Sequence, residues 1–329
     1  MVAKATVLVT GGAGYIGSHT VRQLIRQGYG VVVCDDLSRG HRWAVPDGIP
    51  LIVADIADTT ALVQAMQLHG VDAVMHFAAV SQVGESMSDP RLYYSNNVAG
   101  TVHLLNACME TNVRRFVYSS SAAVYGEPDK VPVDEDSTLK PTSVYGRTKV
   151  MVEKMLHDYA TAYGLQYAAL RYFNAAGADP AGGLGEDHQP ETHLIPIAVQ
   201  AGLGRRGAVQ VFGTDYPTAD GTCIRDYVHV CDLADAHILA LESLASCPEA
   251  AYNLGNGSGF SVREVLGSVE RVTGRKVPSV VAARRPGDPA VLVASSDRIR
   301  RTLGWKPVLA DLDVMVETVW QWEQHKLAL

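Results

Sequence analysis

The chain has 329 residues, 47% hydrophobic and 19% charged, enough apolar material for a large core in one extended domain or two fused lobes, and its composition requires no disordered region. A formal net charge of -7 without Lys/Arg clusters excludes nucleic acid or an anionic membrane surface as the main partner. No apolar run reaches membrane-spanning length, and Val7-Leu8-Val9 is too short and wrongly flanked for a signal peptide, so a soluble cytoplasmic protein with no membrane partner is expected.

In the first half, short β-branched runs alternate with longer periodic segments, the pattern of an α/β protein whose parallel sheet carries helices on both faces. Strands are predicted at 6–10, 30–35, 51–55, 73–77, 115–119 and 167–172, mostly as continuous apolar runs suited to burial on both sides. Asp58 caps a helix from about Thr59, and Asp89-Pro90 opens one running to about Glu110. Pro141 suits the first turn of a helix that continues through Val144, Met151, Val152, Met155, Leu156 and Tyr159. Past residue 175 the connections turn Gly- and Pro-rich, with helices still readable at 193–202, 230–244, 261–273 and 312–325. The expected division is therefore 1–175 as one lobe, with segments near 230–256 returning to it, and 176–329 as mainly a second, discontinuous lobe.

Cys34, Cys108, Cys223, Cys231 and Cys247 are odd in number, scattered and never in Cys-x-x-Cys, so they read as reduced thiols. His188 and His193 stand near Glu186 and Asp187, but the run lacks zinc-type spacing and contains Pro190, so no metal is expected.

Gly11, Gly14 and Gly17 follow the first strand directly and open a helix. Such spacing permits a tight turn, brings backbone N–H groups to a pyrophosphate and lets helix and sheet approach closely, as in a doubly wound Rossmann-type fold. The second strand ends in Asp35, eighteen residues after Gly17, where a carboxylate accepts from a ribose 2'-hydroxyl and repels a 2'-phosphate. NAD is thus favoured over NADP, although Arg39 and Arg42 follow closely. Asp55, at the tip of the third strand, is placed to reach the adenine edge.

Tyr145 and Lys149 share one face of a predicted helix, one turn apart. Using a phenol as a base near neutrality means lowering its pKa by ~3, or ~4 kcal/mol. A fixed ammonium ~5 Å away at an effective dielectric of ~20 supplies ~3 kcal/mol, and a second positive charge the rest.

Gly-x-x-Gly-x-x-Gly, the strand-end Ser119-Ser120-Ser121 and Tyr145-x-x-x-Lys149 together resemble the extended short-chain dehydrogenase/reductase family. Val83-Gly84-Glu85-Ser86, Arg171-Tyr172-Phe173-Asn174, Gly213-Thr214-Asp215-Tyr216-Pro217-Thr218 and Ile224-Arg225-Asp226-Tyr227-Val228-His229 extend the resemblance, within that family, to the UDP-glucose 4-epimerases. The resemblance implies Tyr145 as acid/base, Lys149 as its activator and ribose ligand, and Ser121 as the hydroxyl shared with substrate. It further implies cofactor contacts from Tyr15, Ile16, Asp36, Leu37, Ser38 and Ile56, and from Phe77, Ala78, Ala79, Asn96, Ser119 and Tyr172. The nucleotide diphosphate would be held by Asn174, Phe212, Arg225, Arg285 and Asp288, with Val211, His193, Leu194 and Leu292 also at the substrate. Some epimerases carry Lys where this chain has Ser81 and Asn where it has His193, which puts phosphate contacts there in doubt. Leu292 falls where some members carry Tyr, so more room for an N-acetyl group is expected.

The implied reaction converts UDP-galactose and UDP-glucose through a 4-keto sugar, with NAD as transient oxidant and the oxidised nicotinamide as the second positive charge. It asks for a firm grip on UDP and a loose one on the hexose. Related dehydratases carry an acid just after the strand-end hydroxyl, where this chain has Ala122-Ala123, so a 4,6-dehydratase ranks below an epimerase. Another nucleotide-sugar epimerase is an alternative, and a non-catalytic NAD-binding scaffold a minor one. The resemblance also implies a homodimer through the helices at 89–110 and 141–163, and the apolar Val150 and Leu104 are compatible with that interface and equally with a bulky core.

Overall fold

The computed structural model describes residues 4–285 and 288–326. Its centre is a seven-stranded parallel sheet in the order β11-β6-β5-β4-β1-β2-β3. The strands are β1 (Lys4–Thr10), β2 (Tyr29–Cys34), β3 (Leu51–Ile52), β4 (Ala73–His76), β5 (Arg115–Ser119), β6 (Gln166–Tyr172) and, from far along the chain, β11 (Glu249–Leu254). Strand order reverses between β1 and β4, which opens a crevice at the carboxyl ends of these two strands. The edge strand β3 is shorter than its apolar run because it has a partner on one side only, and Val53 beyond it is exposed.

Both faces of the sheet are covered, which explains why its strands read as unbroken apolar runs. Val7, Val9, Val31, Val33 and Met75 meet α1 (Tyr15–Arg26) and α8 (Val230–Ser243), joined by Ile299 of α10 (Asp297–Leu303). Leu8, Val32, Val74 and Phe116 meet α2 (Thr59–Leu68), α5 (Thr101–Glu110) and α6 (Val144–Tyr163). Asp58 caps α2 as expected, its carboxylate accepting from Ala61 N–H at 3.0 Å.

Two helix starts differ from the periodicity. The segment expected as one helix from Asp89 to Glu110 follows the short α3 (Val83–Ser88) and is divided into α4 (Pro90–Tyr93), a π-helical stretch Tyr94–Gly100, and α5. Within that stretch the buried Asn97 side chain bonds the backbone of Val80 in both directions and donates to Thr148. A wider turn serves the loop after β4, a tertiary demand that side-chain periodicity does not carry. α6 likewise starts at Val144 rather than Pro141, because the Ser143 hydroxyl caps it by accepting from Gly146 N–H at 3.0 Å.

The remaining described residues build three small sheets and a second core. β7 (Asn174–Ala176) pairs with β10 (Tyr227–His229), β8 (Val209–Phe212) with β13 (Ser279–Ala282), and β9 (Ile224–Arg225) lies between β12 (Phe260–Ser261) and β14 (Val291–Leu292). α7 (Leu194–Gly202), α9 (Val262–Thr273) and α11 (Leu312–His325) share a core of Ile195, Val199, Val265, Val269, Met315 and Val319. Among the described residues no helix is long and apolar enough to cross a membrane. The five cysteines are free.

Candidate active site

The carboxyl end of β5 and the first turns of α6 form one buried corner. Gly146 allows it, since a Cβ there would collide with the carbonyl of Ala123 in the 3-10 turn Ala122–Val124. Lys149 is 2% exposed and its ammonium donates to Ser119 O at 2.8 Å, lying 4.9 Å from the Tyr118 ring centre and 5.5 Å from that of Tyr145. The Ser121 hydroxyl oxygen accepts from Ala123 N–H at 3.2 Å, and the Ser119 and Tyr172 hydroxyls bond each other.

Electrostatics here run against the expectation of a lowered phenol. Burial pushes Tyr145 up to about 12, only partly offset by the Ser121 hydroxyl, and burial pushes Lys149 down to about 7 against the pull of Glu153. In the protein alone, desolvation therefore outweighs the attraction between the two groups.

Behind this corner is a polar network that the motif reading missed. Glu153, one turn beyond Lys149, accepts from the Ser120 hydroxyl at 2.5 Å and from the Arg171 guanidinium at 2.6–3.2 Å. Arg171 also donates to Tyr125 Oη at 2.9 Å, which donates in turn to Asn253 Oδ1 at 2.7 Å. The spacing of Lys149 and Glu153 was visible as a helical repeat. The network beyond Glu153 was not, since Ser120, Arg171 and Asn253 come from three different strands or strand ends.

At the β1–α1 junction, Gly11 has φ +71° and a Cβ there would lie 2.5 Å from Ala78 N, while a Cβ on Gly17 would collide with Gly11 O. Gly14 is the N-cap of α1 without any side-chain cap, and the first turn, which includes Tyr15 and Ile16, carries no acid. Its N–H groups are thus open to an anion, which fits a pyrophosphate. Asp35 is buried and accepts from Ala13 and Leu37 N–H at 2.9 Å each, leaving lone pairs for a ribose. Asp36 is exposed and accepts from Ser38, and exposed Asp55 accepts from Ala57 N–H, with Ile56 buried beside it. Phe77 and Tyr172 flank His237 at 4.7 and 6.1 Å between ring centres, Ala78 and Ala79 follow β4, and Asn96 donates to Asn97. These residues fit a dinucleotide.

In the second lobe, Asn174 donates to Asp226 O at 2.8 Å, Arg225 is ion-paired with Asp288, and the Arg285 guanidinium lies 3.9 Å from the Phe212 ring centre. Val211 stands on β8, and Leu292, opposite Arg225 in the β9–β14 ladder, packs on the Ala122, Val150 and Phe173 cluster. Leu194 opens α7. The His193 imidazole, expected at the substrate, is engaged by Glu186 and Glu191, and that carboxylate pair raises its pKa well above the usual histidine value.

The model of the NAD dependent epimerase/dehydratase family matches residues 7–255. The chain belongs to that family. It is 52% identical over 320 residues to a UDP-glucose 4-epimerase of Halalkalibacterium halodurans, covering 97% of this chain and 96% of the relative. The crystal structure of UDP-glucose 4-epimerase from Brucella ovis in complex with NAD superposes with a TM-score of 0.94 at 51% identity, covering 96% of this chain and 98% of that one. The epimerase from Stenotrophomonas maltophila with bound NAD and formylated UDP-arabinopyranose superposes with a TM-score of 0.95 at 42% identity, covering 99% of each chain. Within this epimerase/dehydratase family the chain keeps Ser121, Tyr145 and Lys149 in one buried corner, with Ala122 and Ala123 after the strand-end hydroxyls.

Proposed function

We propose that this chain interconverts UDP-glucose and UDP-galactose by reversible oxidation at C4 of the hexose. The observation that carries the reading is the corner in which the Lys149 ammonium lies 5.5 Å from the Tyr145 ring centre and donates to the strand-end Ser119 carbonyl, with an uncapped glycine-rich helix start nearby in the fold. When bound, NAD supplies the reversible acceptor for the hydrogen and electron pair taken from C4. Tyr145 is the base that takes the C4 hydroxyl proton and later returns it, and Ser121 hydrogen-bonds the same oxygen. Lys149 would stabilise the phenolate and hold a ribose hydroxyl of the cofactor.

A phenol at about 12 is no base near neutrality, but two positive charges ~5 Å away, each worth ~3 kcal/mol at an effective dielectric of ~20, pull it back down toward neutrality. One is Lys149, whose charge Glu153 and the phenolate itself favour against burial, and the other belongs to the oxidised cofactor. Ala122 and Ala123 offer no acid for elimination, which favours epimerisation over dehydration.

Gly11, Gly14 and Gly17 would hold the pyrophosphate of the cofactor, Asp35 and Asp36 a ribose, and Asn96, Ser119 and Tyr172 its nicotinamide end. The uridine diphosphate is held by Asn174, Arg225, Arg285 and Asp288, with Phe212 beside it, as arginine forks suit a diphosphate. In this reading 1–175 with 230–256 is the NAD lobe, and the rest of 176–329 mainly the UDP-sugar lobe. The chain acts in the cytoplasm as a homodimer through α5 and α6. Val150 and Leu104 are buried within one copy, so exposed Met151 and Tyr163 are the apolar residues α6 offers a partner.

The test is conversion of UDP-galactose to UDP-glucose by the purified chain, with and without added NAD. No conversion in either case sinks the assignment. Equal preference for UDP-galactose over its N-acetyl analogue in wild type and Leu292→Tyr would remove any role for Leu292 in sugar choice.

A further inference from the structure

The loop between β7 and α7 gathers four donor side chains at one point. Glu186 Oε1 lies 2.8 Å from His188 Nδ1 and 2.5 Å from His193 Nδ1, and Glu191 Oε1 lies 3.5 Å from His193 Nδ1. The four ligand atoms all fall within 4.8 Å of one another. The carboxylates are 3% and 5% exposed, whereas the imidazoles reach the surface. Two buried carboxylates this close repel each other unless positive charge lies between them.

We propose that Glu186, His188, Glu191 and His193 bind one divalent transition-metal ion of the zinc class, which staples this loop. Two imidazole nitrogens and two carboxylate oxygens match the donor set of such an ion, while magnesium and calcium take all-oxygen sites. A tetrahedral ion ~2.1 Å from each donor puts the donors ~3.4 Å apart. The observed separations of 2.5 to 3.5 Å, and at most 4.8 Å, bracket that distance. Four protein donors fill a tetrahedron, so the ion is structural and leaves no position for substrate.

Outer contacts already orient the ligands, as a metal site requires. Glu191 Oε1 accepts from Thr192 and His193 N–H at 2.7 and 2.8 Å. Trp322 Nε1 donates to Glu186 O at 2.8 Å, and Asp187 is ion-paired with Lys326. On the other side the Tyr15 ring meets His188 edge-on at 6.2 Å, and its hydroxyl donates to Gly177 O at 2.6 Å. The ion would tie the loop between Tyr15, beside the glycine-rich turn, and Trp322 of α11.

The experiment strips the full chain with EDTA, adds zinc alone, and reads bound metal by atomic absorption together with thermal melting. About one zinc per chain is expected after gel filtration, with a melting rise of about 3 °C or more. His188→Ala, whose side chain is 30% exposed, loses both effects and keeps epimerisation within about twofold. Glu186→Gln loses zinc as well. Fewer than about one zinc per ten chains, zinc retained equally by His188→Ala, or a melting rise with magnesium or calcium but not zinc overturns the proposal. Metal content is read without turnover, so this result and the assignment of the reaction fail separately.

Discussion

The polar groups behind Tyr145 and the arginines of the second lobe are built on opposite terms. Glu153 and Arg171 are 9% and 7% exposed, and each is bonded to further buried partners. Arg225 and Asp288 are 15% and 24% exposed, and Arg285 is exposed against Phe212. A buried pair tolerates no loss of a partner, because the remaining charge has no water to turn to, whereas a partly hydrated arginine can wait for a ligand at little expense. Chemistry that needs an atom held in place is set on the first kind of structure, and recognition of a mobile diphosphate on the second.

Five measurements press on that contrast. Tyr145→Phe should cut turnover by about 10²–10⁴-fold with the fold and NAD retention intact. A near wild-type rate would end the acid–base assignment. Glu153→Gln should destabilise the protein by about 3–5 kcal/mol in urea, since it strands Arg171. Adding Arg171→Met to it should recover part of the loss, and no recovery would show that something other than the unpaired charge is responsible.

Arg225→Ala should raise KM for the UDP-hexose about 10–100-fold, the worth of a charge-assisted hydrogen bond, with kcat within about threefold. A fall in kcat at constant KM would place this arginine in the chemistry instead of the grip. The fourth measurement uses pH on protein free of dinucleotide. Lys149 is pushed down from its ordinary 10.5 to about 7, so between those values the unfolded chain holds a proton that the folded chain lacks. Its contribution to stability therefore rises with pH across that window, and Lys149→Met should remove the rise between pH ~7 and ~9. The smallest effect is expected from Arg271→Ala, whose ion pair with Asp313 lies at the surface, with 62% and 44% of the side chains exposed. A melting temperature that moves measurably would contradict the comparison.

Much of this was legible in the chain. The six strands of the first half, the Asp58 cap, the glycine spacing at 11, 14 and 17, and the shared face of Tyr145 and Lys149 follow from contacts between near neighbours in sequence. Residues near 230–256 were expected back at the first lobe, and Tyr252-Asn253-Leu254 stands in β11 beside β6, a pairing between strands far apart in sequence. The π-helical stretch at Asn97 was not legible, because a wider turn is dictated by the Val80 backbone it must meet. Nor was the grouping of Glu186, His188, Glu191 and His193, whose spacing matches no ligand motif and whose convergence depends on how an irregular loop folds.

Local spacing, then, determined which residues stand on which helix face or strand end, since backbone geometry repeats every 3.6 or 2 residues whatever surrounds it. Burial belonged to the tertiary structure, and proton affinity followed it. The same Tyr145 and Lys149 that spacing pairs as phenol and activating cation are driven apart in pKa, to about 12 and about 7, once water is excluded from both. Whether charge is cheap or costly at a position depends on everything packed around it, and only the folded chain specifies that.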